Sequence, residues 1–476
     1  MGVLSGFSYG RLFQSLSVTA RITVQGIALI ASGASIWADD CEAHLGAVRY
    51  ASRMPYDSPP FLPTSPGVDK LSKTPISSGL MKQTFTLQGI IFDSNYDNGS
   101  LFSAASAGTN VFNLGLFVED SLDGMGTRKY QFRFRMTGVA GRTITLNLDH
   151  SENPRPFISL DGGASWRRLT STEAPNSSSM VLTFGAAQNT AELAFFEPLG
   201  YTEIRDRVNA IVLAGQGATT EVLGLSHQGR EQWLVTVTDP TVPATNKKRV
   251  WVHARAHAGE VTSAHAALGF LDQVTTNTPL GSTLRKNCII HILPCLNVDG
   301  VYMGLTRWDS QGIDPERQWP NPSRIPEVAN IRARIDLYMA SANPVLVCLN
   351  LHSTVGVFTD SFFFKHVQPS VTAAFEVIQQ NYINALNAAT PLFNNQSAQT
   401  SQLSPDLFIE SYMWNNWAES VMAMTHEGHF YRRITDNQYI TGADYQEIGR
   451  AQAAALLQYF NIREEEAAVD AWRAYE

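Results

Sequence analysis

The spacing of apolar residues changes once along the chain, and that change limits what it can fold into. From Gln83 to Thr236 the sequence is a series of short alternating runs, such as Lys129-Tyr-Gln-Phe-Arg-Phe-Arg-Met136 and Thr143-Ile-Thr-Leu-Asn-Leu148, separated by turn residues. A period of two sends successive side chains to opposite faces of a strand, so this half reads as all-β. From Arg249 onward, strand-like runs alternate with helical stretches at Pro326 to Ala342, Ser370 to Ala388 and Asp444 to Tyr459. That alternation predicts a sheet covered by helices on both faces. A chain of 476 residues, 44% of them hydrophobic, can bury two sizeable cores, and a charged content of 16% excludes wholesale disorder.

The α/β half opens with Arg249-Val-Trp-Val-His-Ala-Arg255, a β-branched and aromatic run interrupted at Ala258-Gly259. His257 therefore falls at a strand exit. Glu260 begins a segment in which Val261, Ala264, Leu268 and Leu271 recur at helical spacing. A lone His352 follows downstream in Leu349-Asn-Leu-His-Ser353. A catalytic zinc takes three protein ligands from imidazole and carboxylate and keeps a fourth position open. His257, Glu260 and His352 can supply those three.

An HxxE tetrapeptide is common by chance, and its ordered companions give it weight. Pro294-Cys-Leu-Asn-Val-Asp-Gly300 ends the strand-like run from Cys288. Arg307, Gly312-Ile-Asp-Pro-Glu-Arg-Gln-Trp319, Leu349-Asn-Leu-His-Ser353 and Met424-Thr-His-Glu-Gly428 follow in that order. The series resembles the zinc metallocarboxypeptidases of the pancreatic carboxypeptidase type. Phe92-Asp-Ser-Asn-Tyr-Asp-Asn-Gly-Ser-Leu101, Glu197-Pro-Leu-Gly-Tyr-Thr-Glu203 and His257-Ala-Gly-Glu-Val-Thr262 are similar to segments of the cytosolic carboxypeptidases. The likeness runs from about Phe85 to Phe460.

The resemblance implies an α/β protein in which an N-terminal all-β sandwich precedes an α/β/α metallocarboxypeptidase domain with a mixed sheet. It implies Zn2+ on His257, Glu260 and His352, with Glu427 as the catalytic carboxylate that takes a proton from water and returns it to the leaving amine. Arg307 matches the arginine that stabilises the oxyanion, and Arg317 the one that pairs with the substrate's terminal carboxylate. The family carries Asn before that arginine, whereas this chain has Glu316, a carboxylate that would repel a terminal carboxylate unless it is protonated, turned away or paired. Tyr412, in Ile409-Glu-Ser-Tyr-Met413, is a candidate at an imperfect spacing for the tyrosine that closes over substrate, the alternative being a ring that simply packs.

Other signatures fail on spacing. His426-Glu-Gly-His429 has its histidines three apart where HExxH needs four. Asp93 to Gly99 resembles a calcium loop, but its glycine is one place late and position twelve is Ala104, so it reads as a turn. Ser159-Leu-Asp-Gly-Gly-Ala-Ser-Trp166 has the form of an Asp-box and, in a single copy, reads as a hairpin turn. Net charge of -8, with no basic patch, disfavours nucleic acid. Cys288 and Cys295 lie roughly 23 Å apart on an extended strand, too far to bridge, so the cysteines read as buried thiols.

The expected organisation is a signal or targeting segment at 1–38, a Pro/Ser-rich linker at 39–80, the sandwich at 81–240, the peptidase domain at 241–462 and a solvated tail at 463–476. Residues 1–38 hold Arg11 and Arg21 but no acid or lysine, which fits a signal peptide and export, with a mitochondrial or cytoplasmic chain as the alternative. No stable membrane span is expected in the mature chain. The expected function is zinc-dependent removal of C-terminal residues from peptides or proteins. The alternatives are a zinc amidohydrolase acting on small N-acyl amino acids and an inactive peptide-binding module.

Overall fold

The computed structural model describes residues 81–120, 127–150, 154–358, 360–394, 399–401 and 407–464. The targeting segment and linker expected at 1–80, and the tail beyond 464, lie outside the described residues. Twelve strands come first: β1 (Thr84–Leu87), β2 (Ile90–Asp93), β3 (Ser103–Gly108), β4 (Val111–Gly115), β5 (Glu119–Asp120), β6 (Thr127–Arg128), β7 (Arg133–Thr137), β8 (Thr143–Leu148), β9 (Phe157–Ser159), β10 (Arg167–Arg168), β11 (Ser179–Thr183) and β12 (Thr190–Ala194). They form a six-stranded sheet, β1-β2-β7-β12-β9-β10, a four-stranded sheet, β11-β8-β4-β3, and a two-stranded antiparallel pair, β5-β6. The alternating runs bury every second residue, as in β8, where Ile144, Leu146 and Leu148 are buried. Phe92 of the first sheet meets Phe112 of the second at 5.0 Å between ring centroids, so the two buried faces pack together.

Two turns read from sequence behave as expected. Asp161 accepts from Ser165 N at 2.9 Å inside the hairpin that joins β9 to β10. In the loop after β2, Asp97 accepts from Tyr201 N at 3.2 Å and Thr202 N at 2.6 Å, which caps helix α1 (Tyr201–Ala214).

Beyond α1 the chain builds an eight-stranded mixed sheet from β13 (Ala218–Leu225), β14 (Glu231–Val237), β15 (Lys248–Ala254), β16 (Cys288–Leu293), β17 (Val345–Thr354), β18 (Phe362–His366), β19 (Gln399–Ser401) and β20 (Met422–His429). Its order is β13-β14-β16-β15-β17-β20-β18-β19. The sandwich expected to run to 240 therefore ends at β12: β14 pairs antiparallel with β16, which draws β13 and β14 into the eight-stranded sheet. Period-two alternation identifies an edge strand but not the sheet it joins. The central strands β16, β15, β17 and β20 are mutually parallel and buried on both faces.

The helices are α2 (Val261–Thr275), α3 (Pro279–Asn287), α4 (Val298–Met303), α5 (Pro326–Met339), α6 (Ala373–Ala389), α7 (Ile409–Trp417) and α8 (Gly442–Tyr459). Trp251, Cys348 and Ala423, register partners on β15, β17 and β20, enter one apolar cluster with Ile331 and Ile335 of α5 and Ile409 and Met413 of α7. Helices α2, α6 and α8 contribute nothing to that cluster and pack against the other face, as the alternation of strands and helices predicts. Cys288, Cys295 and Cys348 are buried free thiols. None of the described helices is long and apolar enough to cross a membrane.

Helix α2 begins at the residue after Glu260, and its seating depends on two glycines. A Cβ on Gly269 would overlap the Gln446 carbonyl of α8, and one on Gly449 would overlap the Ala266 carbonyl of α2. Replacing glycine with alanine inside an unhindered helix gains about 1 kcal/mol. Here the sign reverses: Gly269→Ala and Gly449→Ala should each lower the unfolding free energy by about 1 to 3 kcal/mol in denaturant titrations. An increase in stability would show that the two helices are not in backbone contact.

Candidate metal centre and active site

Parallel strands end on the same side of a sheet, so whatever follows β15, β17 and β20 converges there. At the end of β15, Arg255 adopts a left-handed φ of 58°, which turns the chain out of the sheet. Its buried guanidinium donates to Leu199 O at 3.1 Å and, through Nε, to Ala258 O at 3.0 Å, and these bonds hold the turn. That turn carries His257 inward. Glu260 stands at the N-terminus of α2, and Ser263 Oγ donates to its carbonyl at 2.6 Å. His352 on β17 and Glu427 on β20 are register partners.

The three expected ligand residues come together. His257 Nδ1 lies 2.7 Å from Glu260 Oε1, His352 Nδ1 lies 2.8 Å from Glu260 Oε2, and the two Nδ1 atoms are 3.1 Å apart. One ligand atom from each residue lies within 4.8 Å of the others. Each ring turns its other nitrogen toward a second carboxylate: His257 Nε2 is 3.1 Å from Asp314 Oδ1, and His352 Nε2 is 3.4 Å from Glu316 Oε2. Carboxylates at Nε2 favour the proton there and leave both Nδ1 lone pairs facing Glu260. Two imidazoles and one carboxylate so disposed form a group that could hold a divalent metal ion.

The carboxylates around the cluster favour positive charge at this point, whether a proton or a cation holds it. Burial works against charge on His352, yet Glu260 and Glu316 outweigh it and raise its pKa well above the usual histidine value. Burial opposes ionisation of Glu260 too, and His257 and His352 more than offset it, so its pKa falls below the usual carboxylate range. Glu427 lacks such support: burial, then Glu260, pushes it up to about 8, against His352 and Arg307. Its Oε2 has no hydrogen-bond partner among the described residues. A buried carboxyl at the edge of a metal-ligand cluster, with a raised pKa, can accept and return a proton.

Arg307 reaches the cluster through Asp314, whose Oδ2 accepts from its Nε at 3.1 Å and its Nη2 at 2.9 Å. One carboxylate thus orients both a candidate ligand ring and a fixed cation, and Arg307 holds Asp314 well below the usual range against burial. Arg317 sits in a 3-10 turn, Pro315–Arg317, with its guanidinium 4.2 Å above the Phe408 ring.

Two expectations about substrate-binding residues need correction. Glu316 is buried and turned inward, where Oε1 accepts from Asn350 Nδ2 at 3.1 Å and Oε2 faces His352. Of the arrangements left open by the sequence, it is turned away, and its charge is offset by His352. Tyr412 is not brought to the metal cluster. It is 8% exposed in the apolar cluster, stacked against Trp319 at 6.4 Å, with its hydroxyl donating to Asp336 of α5. An amphipathic aromatic on α7 packs its ring and satisfies its hydroxyl, and spacing cannot distinguish that from a mobile lid.

Residues that sequence reasoning passed over also bear on the site. Asp314 lies within the motif quoted for Arg317, but its bond to His257 spans 57 residues and has no local signal, while Arg307, its other partner, lies seven residues before it. Asn297, in the turn after β16, donates through Nδ2 to Trp308 O at 2.9 Å and Ala256 O at 3.3 Å, joining the Arg307 segment to the His257 turn. Glu410, two residues before Tyr412, accepts from Thr425 Oγ1 and is pushed up to about 7 by burial, with Glu316 adding to it. For Asp314→Asn, loss of the carboxylate at His257 should weaken divalent-metal retention about 10- to 100-fold in chelator competition. Unchanged retention would mean that Asp314 does not orient His257.

The chain is similar to known proteins in sequence and in fold. Residues 214–406 match the zinc carboxypeptidase family model. The chain is 30% identical over 148 residues to cytosolic carboxypeptidase 6 of Mus musculus, covering 30% of this chain and 27% of that protein. It is 27% identical over 277 residues to cytosolic carboxypeptidase 2 of Homo sapiens, covering 51% and 31% respectively. The chain thus spans about a third or less of the length of these relatives. Its fold matches the crystal structure of a metallo-carboxypeptidase from Burkholderia cenocepacia at a TM-score of 0.68 and 21% identity, covering 78% of this chain and 99% of that one. Residues 214–406 thus resemble a zinc carboxypeptidase domain, and the chain shares the fold of a metallo-carboxypeptidase.

Proposed function

We propose that the protein is a zinc-dependent carboxypeptidase that removes C-terminal residues from peptides or proteins. The observation that carries this reading is the convergence of His257, Glu260 and His352 on one point, with Glu427 beside His352 on the neighbouring strand. The three ligands are those of an open catalytic site, not of a closed structural one. Zinc bound there would polarise the scissile carbonyl and lower the pKa of water.

The chain's own residues supply the rest. Glu427 takes a proton from the attacking water and returns it to the leaving amine, a role suited to a carboxyl pushed up to about 8. Arg307, anchored by Asp314, sets a fixed positive charge against the oxyanion as it develops. Arg317 provides a planar guanidinium for the terminal carboxylate of the substrate. Glu316 is turned inward toward His352 and Asn350 and is therefore less open to that terminus than an outward carboxylate would be. The relatives are named cytosolic carboxypeptidases, which supports the cytoplasmic alternative over export.

The test is to incubate zinc-loaded protein with a mixed peptide library and follow truncation by mass spectrometry. Loss of single C-terminal residues is expected, abolished by chelation, restored by zinc, and reduced at least about 10³-fold in kcat in Glu427→Gln. Turnover of N-acyl amino acids but not peptides would favour the amidohydrolase reading. Zinc binding without any turnover would favour a peptide-binding module.

A further inference from the structure

Arg307 is held from two ends, and the second holder comes from the strand-rich region. The side chain of Glu119, on β5, is 1% exposed and points at three successive backbone N–H groups. Its Oε1 accepts from Thr306 N, and its Oε2 accepts from Arg307 N at 2.8 Å and Trp308 N at 3.2 Å. Successive N–H groups aimed at one point form an anion-binding concavity, here filled by a side chain of the same protein. Burial pushes Glu119 up to about 7 in spite of these three donors.

The segment that Glu119 grips also bonds to the metal-ligand turn. Thr306 O accepts from Gly259 N at 2.7 Å and Arg307 O accepts from Ala258 N at 3.3 Å. The strand-rich region adds Tyr130 N and Gln131 N, which donate to Thr306 Oγ1 at 3.3 and 3.2 Å. A route of hydrogen bonds therefore runs from β5 through residues 306–308 to the residues between His257 and Glu260. A buried carboxylate is a costly way to satisfy three amides where rigidity alone is needed.

We infer that Glu119 is a positioning residue of the peptidase site, contributed by the strand-rich region to fix the backbone from which Arg307 projects. This rests on the reading of Arg307 as the oxyanion-stabilising group. Asp314 fixes the guanidinium end and Glu119 the main-chain end, so the cation is set before substrate arrives and costs no reorganisation during reaction. It follows that the strand-rich region is part of the catalytic apparatus and not a separable appendage.

The test is a double-mutant cycle on the peptide cleaved fastest in the library assay, with kcat and KM measured separately. Metal retention under chelator competition and thermal melting are followed in every variant. Glu119→Gln keeps the size of the side chain but turns an amide donor toward N–H groups. It should lower kcat about 10- to 100-fold with KM within about threefold. Glu119→Asp, which keeps the charge, should recover part of that loss. In the Arg307→Ala background the further effect of Glu119→Gln should shrink to within about twofold, because the group it positions is already gone.

An equal loss in both backgrounds would overturn the proposal, as would a loss explained wholly by reduced metal or folded fraction. So would unchanged kcat in Glu119→Gln alongside impaired Arg307→Ala. If Arg307→Ala itself leaves kcat intact, the reading of Arg307 fails first and the proposal with it. Should Glu119→Gln not fold, Glu119→Asp carries the same cycle.

Discussion

Burying Glu260, Asp314, Glu316 and Glu427 at one edge of a sheet sets the terms for everything around them. Each buried carboxylate costs several kcal/mol unless something compensates it. The compensation is distributed: His257 and His352 for Glu260, Arg307 and His257 for Asp314, His352 for Glu316. Glu427 has least and is pushed upward as a result. The concentration of negative charge is the electrostatic reason that a divalent cation suits this point and that a proton can reside on Glu427.

Such a balance tolerates little movement, and the scaffold is correspondingly rigid. Parallel pairing of β15, β17 and β20 brings the strand ends to one edge, while close contact of α2 with α8 seats the helix that begins beside Glu260. The loop after β2 extends the same logic to the strand-rich region. Asp97 caps α1, and Asn98 donates through Nδ2 to Val301 O at 2.8 Å beside the turn that carries Asn297. Glu119 makes the corresponding link at Arg307. The strand-rich region and the α/β region are therefore joined through polar contacts that lead to the site, not merely through apolar packing.

Much of this was legible in the residues, for identifiable reasons. Amphipathic periods mark strands and helices because burial follows them, and the helices at Pro326, Ser370 and Asp444 appear within a few residues of where periodicity puts them. The convergence of His257, Glu260 and His352 was legible because a motif in order constrains several side chains at once. What periodicity missed was membership: β13 and β14 alternate like sandwich strands but pair into the other sheet. Whether Tyr412 closes over substrate or simply packs was not legible, because α7 directs it into the apolar cluster, a fact held in packing and not in spacing.

The residues by themselves determined the chemistry available to this protein: two imidazoles, a set of acids and two arginines, on elements whose order implies a metallocarboxypeptidase-like fold. Only the tertiary structure decided which carboxylate serves which cation. Glu316 reads in sequence as a group that repels substrate and in three dimensions as the partner of His352. Asp314 and Glu119 carry no local signal, because they act 57 residues away on His257 and 188 residues away on Arg307. Hydrogen bonds and ion pairs depend on separations of a few ångströms in space, and one chain's order of residues specifies those separations only once it is folded.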